Sequence, residues 1–132
     1  MPVTSDAGLS RLLERDPIAV IGCSRTAGKA AHEIPSYLQR HGYRIVPVNP
    51  MADEILGETA YDSLAAVPDE VALVNVFRPS REVSEIVDRV LDRNESRGDA
   101  EAIWLQLGIR DDDAAARAEA GGLEIVQDRC MK

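Results

Sequence analysis

The residues best equipped for chemistry form one run, Gly22-Cys23-Ser24-Arg25-Thr26-Ala27-Gly28-Lys29, directly after the apolar Ile18-Ala19-Val20-Ile21. Glycine lets the backbone turn tightly and approach a ligand. A hydroxyl and two cations add donors and charge. Where such a loop opens a helix, free N–H groups and the positive end of the helix dipole attract phosphate. Spacing decides which phosphate chemistry is available. A nucleotide-hydrolysing loop has four residues between its glycines, then Lys followed by Ser or Thr, whose hydroxyl holds Mg²⁺. Here five residues separate Gly22 from Gly28, and Lys29 is followed by Ala30. A nicotinamide-dinucleotide loop wants Gly at position 24 and an acid ending the second strand, for the ribose diol. Ser24 and Asn49 stand there instead. The loop keeps what phosphate binding needs and lacks what hydrolysis and hydride transfer need. The plain alternatives are a tight turn at Gly22 and a solvated cation at Lys29.

Other candidates lie after later apolar runs. Val48-Asn49-Pro50 ends one and Phe77-Arg78-Pro79 another. Arg78 offers a planar fork for a phosphate, or a contact to the strand end; Phe77 and Pro79 offer flanks for an adenine ring, though Phe77 suits a core equally. Among candidates for catalysis, His32 and His41 have no nucleophile near them in sequence, and Cys23 has no evident base. Asp111, Asp112 and Asp113 are adjacent, whereas carboxylate ligands of a metal must converge. Cys23 and Cys130 are far apart, form no metal-ligand pattern and are expected as free thiols in a reducing compartment. No catalytic and no metal-binding residue is expected.

These loops must be held by the elements between them. Thr4 or Ser5 caps a first helix running to about Arg15, which Asp16-Pro17 stops. Ile18–Ile21 reads as a strand buried on both faces. A helix follows within 30–41, ending at Gly42; Pro35 suits a first turn and places the start nearer Ile34. The next strand covers 43–49. A turn with Gly57 and a short helix over Tyr61–Pro68 lead to a strand over Val71–Phe77. Ser80 caps a helix whose apolar stripe is Val83, Ile86, Val87, Val90 and Leu91. A polar loop over 92–99 precedes a strand over Ala102–Leu107. An acid-started helix over 111–120 and a strand at Leu123–Val126 close the chain. Strands alternating with helices predict an α/β fold: one Rossmann-like domain, a five-stranded parallel sheet with helices on both faces. Ligands of such sheets sit outside the C-terminal strand ends.

Composition narrows the partners. The 132 residues carry 23 acids against 15 bases, a net charge of −8. No basic field is available for nucleic acid. No apolar run reaches the roughly 18–20 residues of a membrane span, and the N-terminus lacks a signal-like apolar region. A soluble, cytoplasmic protein is expected. Only Lys29 and Lys132 are lysines among the bases. Arginine bias of this kind fits a GC-rich genome or a salty interior; stability that is flat between low and molar KCl would exclude the second.

Taken in order, "IAVIGCSR", "HGYRIVPVNP", "ILGETAYDSLAAVP", "VNVFRPSREV", "IWLQLGI" and "VQDRC" cover nearly the whole chain. Together they make it resemble the small stand-alone CoA-binding proteins. These are similar to the N-terminal CoA-binding Rossmann domain of the succinyl-CoA synthetase α subunit and of NDP-forming acyl-CoA synthetases. The resemblance implies one CoA-binding domain over 1–132, with CoA or an acyl-CoA held by its phospho-ADP end. Gly22, Ser24, Arg25 and Lys29 would hold phosphates. Val48, Asn49 and Pro50 would line the nucleotide, with Phe77 and Arg78 opposite. Gln106 and Gly108 would close the side towards the pantetheine arm. Two positions depart from the family pattern: Met51 replaces the usual Lys after "NP", and Cys23 replaces a small apolar residue. The phosphohistidine of the synthetases belongs to a separate domain, so the resemblance implies binding rather than ligation. The competing expectation is a small enzyme or enzyme subunit: a nicotinamide oxidoreductase, an acyl-transfer enzyme using Cys23, or a component acting with a separate partner.

Overall fold

The computed structural model of the chain describes residues 2–131; Met1 and Lys132 lie outside them. Five short apolar runs form one parallel sheet: β1 (Ile18–Ile21), β2 (Ile45–Val48), β5 (Leu73–Val76), β6 (Ala102–Leu105) and β7 (Glu124–Val126), in the order β2-β1-β5-β6-β7. β1 lies between β2 and β5, with Ile18 beside both Ile45 and Leu73. Alternate side chains face opposite layers. Ala19, Val46, Val74 and Ile103 meet α3 (Val83–Arg97) and α4 (Asp112–Ala120) on one face. Ile18, Val20, Leu73 and Trp104 meet α1 (Asp6–Leu12) and α2 (Ala30–Arg40) on the other. Strands covered on both sides are largely apolar, which is why they read as apolar runs; Asn75 in β5 and Glu124 in β7 are polar exceptions. The expected fold class is therefore what the molecule has.

Both sheet edges are blunted. Val3 donates to Ile125 beside β7, and Tyr61 bridges to β2 by exchanging hydrogen bonds with Pro47 and Asn49. The indole N–H of buried Trp104 donates to the Arg129 carbonyl at 2.9 Å, holding the C-terminal segment over β6.

Several boundaries differ from expectation, each for a local reason. The first helix ends at Leu12, because the Leu13 carbonyl is taken by the Tyr43 hydroxyl and the N–H groups of Glu14 and Arg15 turn back to Arg11 and Leu12. β1 spans the expected Ile18–Ile21, and the other four strands of the sheet are shorter by one or two residues at one or both ends. The segment expected as a turn with Gly57 carries a small antiparallel pair, β3 (Glu54–Ile55) and β4 (Glu58–Thr59), and the short helix after it is one 3₁₀ turn at Leu64–Ala66. Ser80 begins a 3₁₀ turn, and its hydroxyl accepts from the Arg110 N–H. The segment 92–97, expected as loop, continues α3 to Arg97; Gly98, in the left-handed region at φ 75°, ends it.

α2 begins at Ala30, so Pro35 lies inside it rather than in its first turn. Proline has no N–H for the carbonyl four residues earlier. That carbonyl, of Ala31, instead accepts the N–H of Ser24 at 2.9 Å. The helix is thereby tied to the loop before it.

Candidate functional site

The first loop leaves β1 at Gly22, whose φ of 84° suits glycine. A Cβ there would lie 2.8 Å from Cδ of Arg78, so the missing side chain is also the space the Arg78 stem occupies. The Gly22 N–H donates to the Val48 carbonyl. Ser24 is anchored by its N–H, and its hydroxyl oxygen accepts from Thr26 at 3.0 Å, leaving the hydroxyl proton to donate elsewhere. Glu33 takes the Gly28 N–H at 2.7 Å; that bond, with His32 alongside, holds its carboxyl below the ordinary range. Among the described residues, the N–H groups of Arg25, Ala27, Ala30 and Ala31 have no hydrogen-bond partner. They are the donors this loop and helix start present to a ligand.

Asn49 follows β2 and joins the two loops. Its Nδ2 donates to the Cys23 carbonyl at 2.9 Å, and its Oδ1 accepts from the Met51 N–H at 2.8 Å. An acid here could not donate, so the residue that a nicotinamide site would require is replaced by one that fastens the loops together. Arg25 turns back to the Met51 carbonyl at 3.2 Å.

A cavity of about 720 Å³ opens at these strand ends. Of the residues expected to hold a ligand, Gly22, Ser24 and Lys29 line it from the first loop, Val48, Asn49 and Pro50 from the second, and Phe77 and Arg78 from the third. Arg25 lies outside this lining, and so do Gln106 and Gly108, beyond β5. Gln106 is buried and donates to Asn75 Oδ1 at 2.6 Å, while the exposed Gly108 donates to Asp128. Neither His32 nor His41 reaches the cavity lining. Cys23 does, but burial pushes its thiol up to about 12, so it keeps its proton at neutral pH and is no ready thiolate. That weighs against acyl transfer through Cys23. Among the described residues, no cluster of His, Cys, Asp or Glu has the arrangement of a metal site.

The far wall was not foreseen. Asp62 reaches it from the segment after β4, and Glu82, Glu85 and Arg89 from the start of α3. Arg78 forks onto Glu82, Nε to Oε1 at 3.1 Å and Nη2 to Oε2 at 2.8 Å. Those bonds hold the Glu82 carboxyl below its usual range. Arg89 pairs with Glu85 at 2.7 Å. The available signal was the i,i+4 spacing of each pair.

The model of the CoA-binding domain family matches residues 16–132. The chain belongs to that family. It is 33% identical over 129 residues to the uncharacterized protein YneT of Bacillus subtilis, covering 97% of this chain and 92% of that one. It is 42% identical over 72 residues to the ADP-forming acetate–CoA ligase II of Archaeoglobus fulgidus, covering 53% of this chain and 11% of the ligase. Among solved structures, a hypothetical protein from Pyrococcus horikoshii superposes with a TM-score of 0.89 at 30% identity, covering 99% of this chain and 91% of that one. The family thus includes short chains of this size, and the same domain recurs within much longer ligases. No described helix is long and apolar enough to cross a membrane.

Proposed function

We propose that the chain binds CoA, or an acyl-CoA, by its phospho-ADP end at the C-terminal ends of β1, β2 and β5. The observation that carries this is the cavity itself, which joins the first loop, the Asn49 turn and Arg78 in a protein of the CoA-binding domain family. Phosphates would meet the free N–H groups at the start of α2, with Ser24, Arg25, Lys29 and Arg78 around them. The nucleotide would lie between Val48–Pro50 and Phe77. Gln106 and Gly108 would meet only a pantetheine arm that leaves the cavity across β6. No step of bond making is assigned to any residue.

Calorimetric titration with CoA, dephospho-CoA, NAD and ATP tests this reading. Saturable heat with CoA and none with NAD is the expected result; equal indifference to CoA and NAD overturns it. A second reading, a CoA-holding component beside a separate catalytic partner, is favoured by the ligase matches, which cover 11% and 12% of those proteins.

A further inference from the structure

The wall running from the end of β5 into α3 carries a row of charges in the order Arg78, Glu82, Glu85, Arg89, spaced four, three and four residues apart. All four line the cavity. Each arginine there is already paired with a carboxylate of the same wall. The Arg78–Glu82 pair is the tighter fork, with both carboxylate oxygens engaged by Nε and Nη2. A phosphate approaching Arg78 therefore meets a guanidinium whose best bidentate edge is occupied. It also meets the negative charge of Glu82 at close range. The stem of Arg78 packs against Gly22, with its Cδ 2.8 Å from where a Cβ would stand. A phosphate that takes this edge does so by exchange, phosphate for carboxylate.

We propose that Glu82 is a built-in competitor for the ligand's phosphate, occupying the Arg78 fork when the cavity is empty and yielding it to a polyphosphate ligand. This rests on the CoA reading for the ligand's name, but not for the exchange itself. Carboxylate and phosphate present the same planar pair of acceptors to a guanidinium. The pair is about half exposed, with side chains 47% and 36% accessible, so it is screened and weak enough to be displaced. A buried fork of the same chemistry would not be. The consequence is selectivity by charge. A ligand with one weakly charged group exchanges poorly, whereas one carrying several phosphate charges wins the site.

The test is a double-mutant cycle with Glu82→Gln, Arg78→Ala and the double variant. Each protein is titrated with CoA and, separately, with inorganic pyrophosphate, and its thermal unfolding is recorded alone. Glu82→Gln keeps the shape and removes the competing charge. It is expected to tighten both ligands about three- to tenfold. Arg78→Ala is expected to weaken both about tenfold or more, and in its background Glu82→Gln should restore little. Glu82→Gln that leaves pyrophosphate affinity unchanged or lower, while the protein stays folded, overturns the proposal; so does an equal gain in the presence and absence of Arg78. Pyrophosphate tightened by Glu82→Gln with no CoA binding in any variant upholds the exchange and overturns the CoA reading. Neither ligand binding any of the four proteins overturns both.

Discussion

α3 has an arginine–carboxylate fork near each end, and the two do opposite things. Near its C-terminal end, Arg93 holds Asp99 through Nε at 2.9 Å and Nη2 at 2.9 Å. Its remaining donors reach the carbonyls of Leu64, Val67 and Asp69. Asp99 also accepts the Val71 N–H at 2.9 Å. Both side chains are buried, 3% and 7% accessible. Just ahead of the helix, Arg78 and Glu82 are half exposed, and Nη1 of Arg78 has no partner among the described residues. The first fork is closed on every side and fastens the segment after β4 against α3. The second keeps a free donor, and both of its residues line the cavity. The difference teaches that burial and completeness, not residue type, separate an arginine that supports a fold from one that can meet a ligand.

The largest expected effect comes from breaking the closed fork. Arg93→Ala leaves Asp99 charged and buried and takes a donor from three carbonyls, that of Asp69 having no other among the described residues, which should cost about 3–5 kcal/mol of stability. Urea unfolding measures it, and a loss under about 1 kcal/mol would erase the contrast. Acid provides an intermediate effect. Burial alone would raise the Asp99 carboxyl, but the bonds from Arg93 and Val71, with the charges of Arg93 and Arg97, outweigh it and hold it below the ordinary range. A group lowered on folding adds stability above its unfolded value, near about 3.9, and loses it as pH falls through the folded value. Stability should therefore change little through this group from neutral pH to about 5 and fall below about 4. Asp99→Asn should flatten that decline more than Glu82→Gln, since the Glu82 carboxyl is also held low but is partly exposed and screened. Parallel acid limbs in the two variants would mean that the forks are equivalent. The smallest effect belongs to the open fork, since Arg78→Ala should change stability by under about 1 kcal/mol while ligand affinity drops. A loss as large as that of Arg93→Ala would make Arg78 a structural residue.

The two forks also mark where sequence was informative. Unbroken apolar runs and 3–4 spacings revealed the strands, the helices and their alternation, because periodicity is a local property. Loops at strand ends then pointed to Gly22, Ser24, Lys29, Asn49, Phe77 and Arg78, spread from position 22 to position 78 of the sequence but gathered by parallel register. Position 93 was read as loop because Asp92, Arg93, Asn94, Glu95 and Ser96 are all polar. The burial of Arg93 depends on carbonyls near 64–69 and on Asp99 beyond a turn, and no local pattern encodes that meeting. The far wall of the cavity escaped for the same reason: Asp62, Glu85 and Arg89 look like ordinary surface charges until α3 is laid against the sheet.

Pro35 has a consequence for how the ligand loop is governed. It sits on the buried side of α2, eleven residues after Ser24, and its missing N–H is what frees the Ala31 carbonyl to hold that loop. Any other residue there would give the carbonyl an in-helix donor and set two amides in rivalry for one acceptor. The loop's posture is thus decided from behind, by a residue no ligand would touch. Evolution or an engineer could retune the mouth of the cavity from inside the core, with its lining left unaltered.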